Sequence, residues 1–217
     1  MAHRELTVET GVTSRGWETS TFPLVCETCL GDNPYIRMIR LTTGKECRIC
    51  TRPYTSFRWQ PGGKARYKNT IICQTCAKVK NVCQVCLFDL EFGLPVEVRD
   101  KFLDESQKLE LPTSQLNRDY AMNKLDTTTT PYNNSDIHPM LLQLARHQPY
   151  YKRNESRVCT FWVRGECKRG EECPYRHEVD THHDPNLADQ NTKNRYMGKD
   201  DPVAHKILSQ INPNQTS

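Results

Sequence analysis

Apolar residues in this chain come in short clusters, each bounded by turn residues, and not in long periodic runs. Tyr54 to Trp59 (YTSFRW), then Pro61-Gly62-Gly63, then Arg66 to Ile72 (RYKNTII) reads as strand, turn and strand. Further on, Met140, Leu141 and Leu144 share one face of a short helix. Pro139 lies near its start, Ser135 or Asp136 is the expected cap, and Pro149 is the expected stop. In the tail, Asp184-Pro185 marks a helix start, Gly198 a stop, and Asp201-Pro202 a second start. Helices this short are marginal alone in water, so each is expected to lie against something else. For the 139–149 helix that is a partner or a neighbouring module.

No stretch approaches the roughly 20 apolar residues that span a bilayer. Met1 to Thr21 lacks the apolar core of a signal peptide. Composition then rules out one large interior. Of 217 residues only 36% are hydrophobic, against roughly 45–50% apolar in ordinary globular chains, and mean hydropathy is −0.76. The fold class expected is a set of small zinc-stabilised modules joined by irregular segments and short helices. The net charge of +4 and pI near 8.5 permit nucleic-acid binding without establishing it.

Cysteine usage changes the picture most. There are 11 cysteines, an odd number. With no export signal the expected compartment is reducing, where paired cysteines serve metals more readily than disulfides. Their distribution divides the chain into a polar N-terminus (1–21), an eight-cysteine region (22–95), a cysteine-free linker (96–150) with the low-complexity run 127–134, a second cysteine region (151–180) and a helical tail (181–217).

In the first region the pairs are Cys26/Cys29, Cys47/Cys50, Cys73/Cys76 and Cys83/Cys86. A Cys-x-x-Cys turn aims two thiolates at one point, and two turns complete a tetrahedral zinc site, so four turns imply two zincs. Redox use needs a βαβ context that is missing. The hairpin would bring Cys47/Cys50 onto Cys73/Cys76 and leave Cys26/Cys29 for Cys83/Cys86, a nested arrangement. A cross-brace, with the first and third pairs on one zinc, is the alternative. The hairpin also displays Arg58, Lys64, Arg66 and Lys68 beside Trp59 and Tyr67. That is either a solvated strand face or an RNA- or protein-contact surface.

The second region spells C-x7-C-x5-C-x3-H through Cys159, Cys167, Cys173 and His177, one closed zinc site and the third ion in all. It resembles the CCCH zinc fingers, whose usual function is recognising single-stranded RNA. Unstacked bases bind flat rings and phosphates bind cations. Phe161, Trp162 and Tyr175 supply rings here, and Arg164, Lys168, Arg169 and Arg176 supply charge, with Lys152 and Arg153 leading in. Phe161 and Tyr175 are expected to face RNA, with Trp162 partly structural.

Catalysis is not expected. A zinc-protease helix would need a histidine where Thr181 stands, and His182 and His183 read as a solvated turn. No cysteine pair has the Pro-Cys-x-x-Cys form of a zinc deaminase.

Cys26 to Met38 (CETCLGDNPYIRM), Cys73 to Leu87 (CQTCAKVKNVCQVCL), Asp89 to Pro95, Tyr150 to Asn154 and Leu187 to Asn191, together with the finger, resemble the RNA-binding motif family of splicing factors of the activated spliceosome. The likeness covers most of 20–205 and is weakest over 100–135. It implies a nuclear, non-enzymatic component that contacts U6 small nuclear RNA and the pre-mRNA intron near the 5′ splice site. It would hold the active RNA conformation beside spliceosomal core proteins, with no membrane and no small-molecule substrate. The family continues into an RNA-recognition-motif domain that is not in this chain. The rival readings are a RING-like ubiquitin-ligase adaptor and a cytoplasmic CCCH mRNA-decay factor.

Overall fold

The computed structural model describes residues 21–63, 65–103, 108, 112, 114–127, 138–179, 187 and 190–211. Residues 1–20, Lys64, Ser135, Asp136, His182, His183 and the Asp184-Pro185 start lie outside them.

The hairpin is present but forms only part of a three-stranded antiparallel sheet. Strand β1 (Met38–Glu46) pairs with β2 (Pro53–Trp59), Met38 opposite Trp59 and Glu46 opposite Pro53, with a register shift between Leu41 and Lys45. The return limb is short: β3 is Lys68–Asn69, with Arg58 opposite Asn69. Beyond it the chain leaves strand geometry, yet Thr70 N–H still donates to the Phe57 carbonyl and Ile71 N–H to that of Gln84. β2 is the central strand and is buried on both faces, with Tyr54, Phe57 and Trp59 each no more than 2% exposed. Their polar atoms are satisfied: Tyr54 hydroxyl donates to the Thr70 carbonyl at 2.6 Å and Trp59 Nε1 to the Cys29 carbonyl at 3.1 Å.

The helices are short. α1 (Glu27–Leu30) and α2 (Gln74–Lys80) each begin directly after a cysteine. Asn81, left-handed at φ +51°, ends α2. α3 (Val96–Lys101) follows Pro95 and buries Val96, Val98 and Arg99. Arg99 meets Asp89 at 2.7 Å, with side chains 2% and 0% exposed. Asp89 in turn accepts the Glu91 and Phe92 amides, both at 2.8 Å, closing the turn before α3. α4 (Gln115–Thr127) lies along α2.

Linker and tail helices pack back onto this body. α5 (Pro139–Leu144) starts with His138 as its cap, Nδ1 accepting the Met140 amide, and ends well before Pro149. Its buried Leu141 joins Phe92, Leu94, Val98 and Ala204 in one apolar cluster, with Ile207 and Leu208 of α8 (Pro202–Ile211) against it. α7 (Thr192–Met197) is capped by Asn191 and stopped by Gly198, left-handed at φ +71°. The stop is where the sequence places it. The zinc-region core is small and cysteine-rich: Ile49, Tyr54, Ile72, Val82, Leu87 and Tyr196 surround Cys47, Cys50, Cys73 and Cys76.

Candidate metal centres and nucleic-acid surface

Two kinds of local structure present the cysteine pairs. Cys47/Cys50 and Cys83/Cys86 sit in tight knuckle turns. The residue after each pair, Thr51 (φ +61°) or Leu87 (φ +60°), is left-handed, and its amide donates back to the carbonyl of Cys47 or Cys83. Left-handed backbone is unfavourable for Thr and Leu and persists only where the surroundings over-determine it. Inside each knuckle an amide also points at sulfur, Ile49 at Cys47 Sγ (3.4 Å) and Val85 at Cys83 Sγ (3.5 Å). The other two pairs open helices: Cys26 precedes α1 and Cys73 precedes α2, where Cys73 Sγ accepts the Cys76 amide at 3.4 Å.

Each centre combines one knuckle with one helix start. Cys26, Cys29, Cys83 and Cys86 converge in one cluster and Cys47, Cys50, Cys73 and Cys76 in another, the ligand atoms of each within 4.8 Å of one another. This is the nested arrangement. The sulfurs fit zinc: four ligands about 2.3 Å from a tetrahedral ion stand about 3.8 Å apart. Cys26 to Cys86 is 3.6 Å, Cys50 to Cys73 3.6 Å and Cys47 to Cys76 3.8 Å. The four thiols of the first centre do not sit in equivalent surroundings. Hydrogen bonds from Cys26, Cys29 and Cys83 pull the Cys86 thiol down, while burial and shared hydrogen bonds push the Cys83 thiol up. A divalent ion lets all four serve as thiolates. Such a centre is net dianionic, and Arg153 answers it. Burial works against the Arg153 charge, but Cys86, Cys29, Cys26 and Cys83 outweigh burial and raise its pKa.

The tail touches both centres through adjacent residues. Tyr196 is fully buried, and its hydroxyl donates to the Cys76 carbonyl at 2.9 Å. Arg195 donates to the Cys86 carbonyl at 2.8 Å and pairs with Asp201 at 3.2 Å. Nothing in the cysteine spacing signals these two residues.

In the finger, Cys159, Cys167, Cys173 and His177 converge as the spacing predicts. Cys159 Sγ and Cys173 Sγ are 3.8 Å apart. His177 Nε2 is buried with no hydrogen-bond partner, as a metal-facing nitrogen would be. α6 (Thr160–Val163) follows Cys159 and a single 3-10 turn (Gly170–Glu172) precedes Cys173. Trp162 stacks on His177 with ring centres 5.6 Å apart and planes 5° from parallel. Phe161 and Tyr175 are 58% and 51% exposed. Arg164, Lys168 and Arg169 are exposed with them, as is Lys152 in the lead-in.

Two of the cations expected at RNA are engaged within the molecule. Arg153 lies 4.4 Å over the Phe88 ring. Arg176 pairs with Glu155 at 2.7 Å and donates to the Ser156 carbonyl at 2.8 Å. These contacts dock the finger's lead-in, as do Tyr150 N–H to Thr28 Oγ1 (3.1 Å), Arg66 N–H to the Asn154 carbonyl (2.8 Å) and Asn154 Nδ2 to the Thr28 carbonyl.

Two nested four-cysteine centres and one CCCH centre on a body with little apolar interior define a multi-zinc protein. Three zinc ions are its cofactors. Comparison with known proteins agrees: residues 23–127 match the family STL11, N-terminal, and residues 155–179 the family Zinc finger C-x8-C-x5-C-x3-H type (and similar). The chain is 50% identical over 207 residues to the Pre-mRNA-splicing factor RBM22 homolog of Plasmodium falciparum, covering 94% of this chain and 57% of that one. It is 53% identical over 216 residues to Zinc finger CCCH domain-containing protein 49 of Oryza sativa subsp. japonica, covering 96% and 43%, and 52% identical over 215 residues to Zinc finger CCCH domain-containing protein 4 of Arabidopsis thaliana, covering 96% and 44%. The chain thus spans about half the length of the curated relatives it matches. The likeness to the relative named as a pre-mRNA-splicing factor extends over 94% of this chain. Among the described residues no helix is long and apolar enough to cross a membrane.

Proposed function

We propose that this chain is an RNA-binding scaffold of pre-mRNA splicing. It acts in the nucleus, without catalysis of its own. It contacts U6 small nuclear RNA and the intron near the catalytic centre, helps hold the active RNA conformation, and joins that RNA to spliceosomal core proteins. The observation that carries the reading is the division of labour in the finger. Three sulfurs and His177 converge and Trp162 packs on His177, while Phe161 and Tyr175 stay exposed among Arg164, Lys168 and Arg169. Rings held this way receive unstacked bases at about 1–3 kcal/mol each. The relative named as a pre-mRNA-splicing factor supports the choice of RNA.

The test is RNA binding by the chain and its Phe161→Ala/Tyr175→Ala variant, with zinc content measured beside it. Loss of affinity by about tenfold or more at unchanged zinc content is expected; equal affinity refutes the reading. Crosslinking in cells then distinguishes the partners. Recovery of U6 and intron sequences is expected, whereas recovery of cytoplasmic messenger RNA favours a decay factor. Discharge of ubiquitin from a charged conjugating enzyme would favour the ligase adaptor.

A further inference from the structure

A cationic seam runs between the two-zinc region and the finger. Three chain segments lie side by side there. Ala65 bridges Glu155, Arg176 bridges Val158, and the Cys159 and Arg176 amides donate to the carbonyls of Arg176 and Arg157. Arg66, at one edge, is fixed by its own amide on Asn154 and by its guanidinium on the Arg153 carbonyl at 3.0 Å. Lys68 follows in β3, and Tyr67 between them is 56% exposed with the Arg58 guanidinium 4.6 Å from its ring centre. Arg157 is exposed on the finger side.

Of the seam's cations, Arg176 is answered by Glu155 and Glu178, and Arg153 faces the cysteine centre. No carboxylate among the described residues pairs with Arg66, Lys68 or Arg157. Like charges crowd at Arg66, where burial and then Arg157, Arg153 and Arg176 lower the pKa; at Lys68 burial lowers it most, against the opposing pull of Cys29 and Cys86. Arg66 and Arg157 thus have no carboxylate partner among the described residues, and the charge of Lys68 is only partly answered by Cys29 and Cys86; cations crowded in this way complement a polyanion. The exposed Tyr67 ring, with Arg58 against it, suits a nucleotide base.

We propose that Arg157, Arg66 and Lys68 form a phosphate track that carries single-stranded RNA from the finger onto the sheet of the two-zinc region, where Tyr67 receives a base. This rests on the reading of the finger as an RNA binder and extends the site into a second module. The two modules then bind one strand as a unit.

The experiment compares oligouridylates of about 4 and about 12 nucleotides on the zinc-loaded 217-residue chain, over a range of salt. The longer RNA is expected to bind more tightly, with a salt slope steeper by about 2, since each of three phosphate contacts contributes about 0.7 on a single strand. Arg66→Gln/Lys68→Gln/Arg157→Gln removes that extra slope and weakens only the longer RNA. Arg157→Gln alone removes about a third of it and leaves the Arg66 contacts in place. Equal binding of the two lengths, or an unchanged slope in the triple variant with three zincs bound, overturns the track while leaving the finger's role intact. Polyglutamate that displaces the longer RNA and leaves the shorter one bound makes the seam a site for acidic polypeptide and also overturns it. Failure of both RNAs to bind overturns the finger reading and the track together.

Discussion

Tyr196 joins the tail to the cysteine centre, and its removal has a calculable effect. The residue is fully buried within the Cys47 cluster and gives its one hydroxyl hydrogen to the Cys76 carbonyl. Tyr196→Phe keeps the ring and leaves that carbonyl without this donor, a loss of about 1–3 kcal/mol for an unsatisfied buried group. Opening of α7 should then rise by about fivefold or more. Tyr196→Ala also empties the ring's volume and should cost about 3–5 kcal/mol, the range of large aromatic truncations. Hydrogen exchange with mass detection reads this directly: peptides covering 192–211 should exchange faster in the order wild type, Phe, Ala, with all three zincs retained in the Phe variant. Because α8 shares its cluster with α5, the 139–144 peptide should follow in the Ala variant. Unchanged exchange over 192–211 in Tyr196→Ala would refute the idea that the tail is anchored on the metal region.

Three further outcomes follow from the same geometry. With cobalt in place of zinc, Cys26→Ser and Cys86→Ser should perturb one centre's absorption and Cys47→Ser and Cys73→Ser the other's; shared effects between Cys26 and Cys73 would instead indicate a cross-brace. Arg99→Met leaves Asp89 buried and unpaired and should lower stability by about 3–5 kcal/mol, whereas Asp89→Asn/Arg99→Met should recover part of it; urea midpoints at saturating zinc decide this. Gly31→Ala forces a side chain onto Pro61 at a left-handed φ of +102°, so it should destabilise the start of the chain by more than the usual Gly-to-Ala gain, and a midpoint equal to wild type would contradict the packing.

The metal centres were the most legible part of the molecule, because ligand chemistry fixes both residue type and spacing. The hairpin favours the nested pairing without excluding a cross-brace, and it is the convergence of the sulfurs that decides for the nested one. β1 carries no strand signal in the sequence, since Ile39 and Leu41 stay 56% and 42% exposed and the strand lacks the alternation that burial of one face imposes. The return limb is shorter than its sequence suggests because Thr70, Ile71 and Ile72 have strand-like side chains but bond to Phe57 and Gln84 in a bend toward Cys73. His138 displaced Ser135 and Asp136 as the cap because Pro139 fits the first helical position and the preceding Nδ1 reaches the Met140 amide. The tail's docking was illegible for a different reason. Arg195 and Tyr196 are buried through bonds to backbone carbonyls of ligand cysteines, and carbonyl positions leave no mark in a sequence.

Metal centres take the place of an apolar interior in this chain, since structural zinc contributes about 10–16 kcal/mol that becomes folding energy. Hydrogen exchange on the zinc-stripped, fully reduced chain tests it most directly. Amides of β2, α2 and α3 should lose their protection together when zinc is removed and regain it when zinc returns. Protection that persists in β2 and α2 without metal would contradict it.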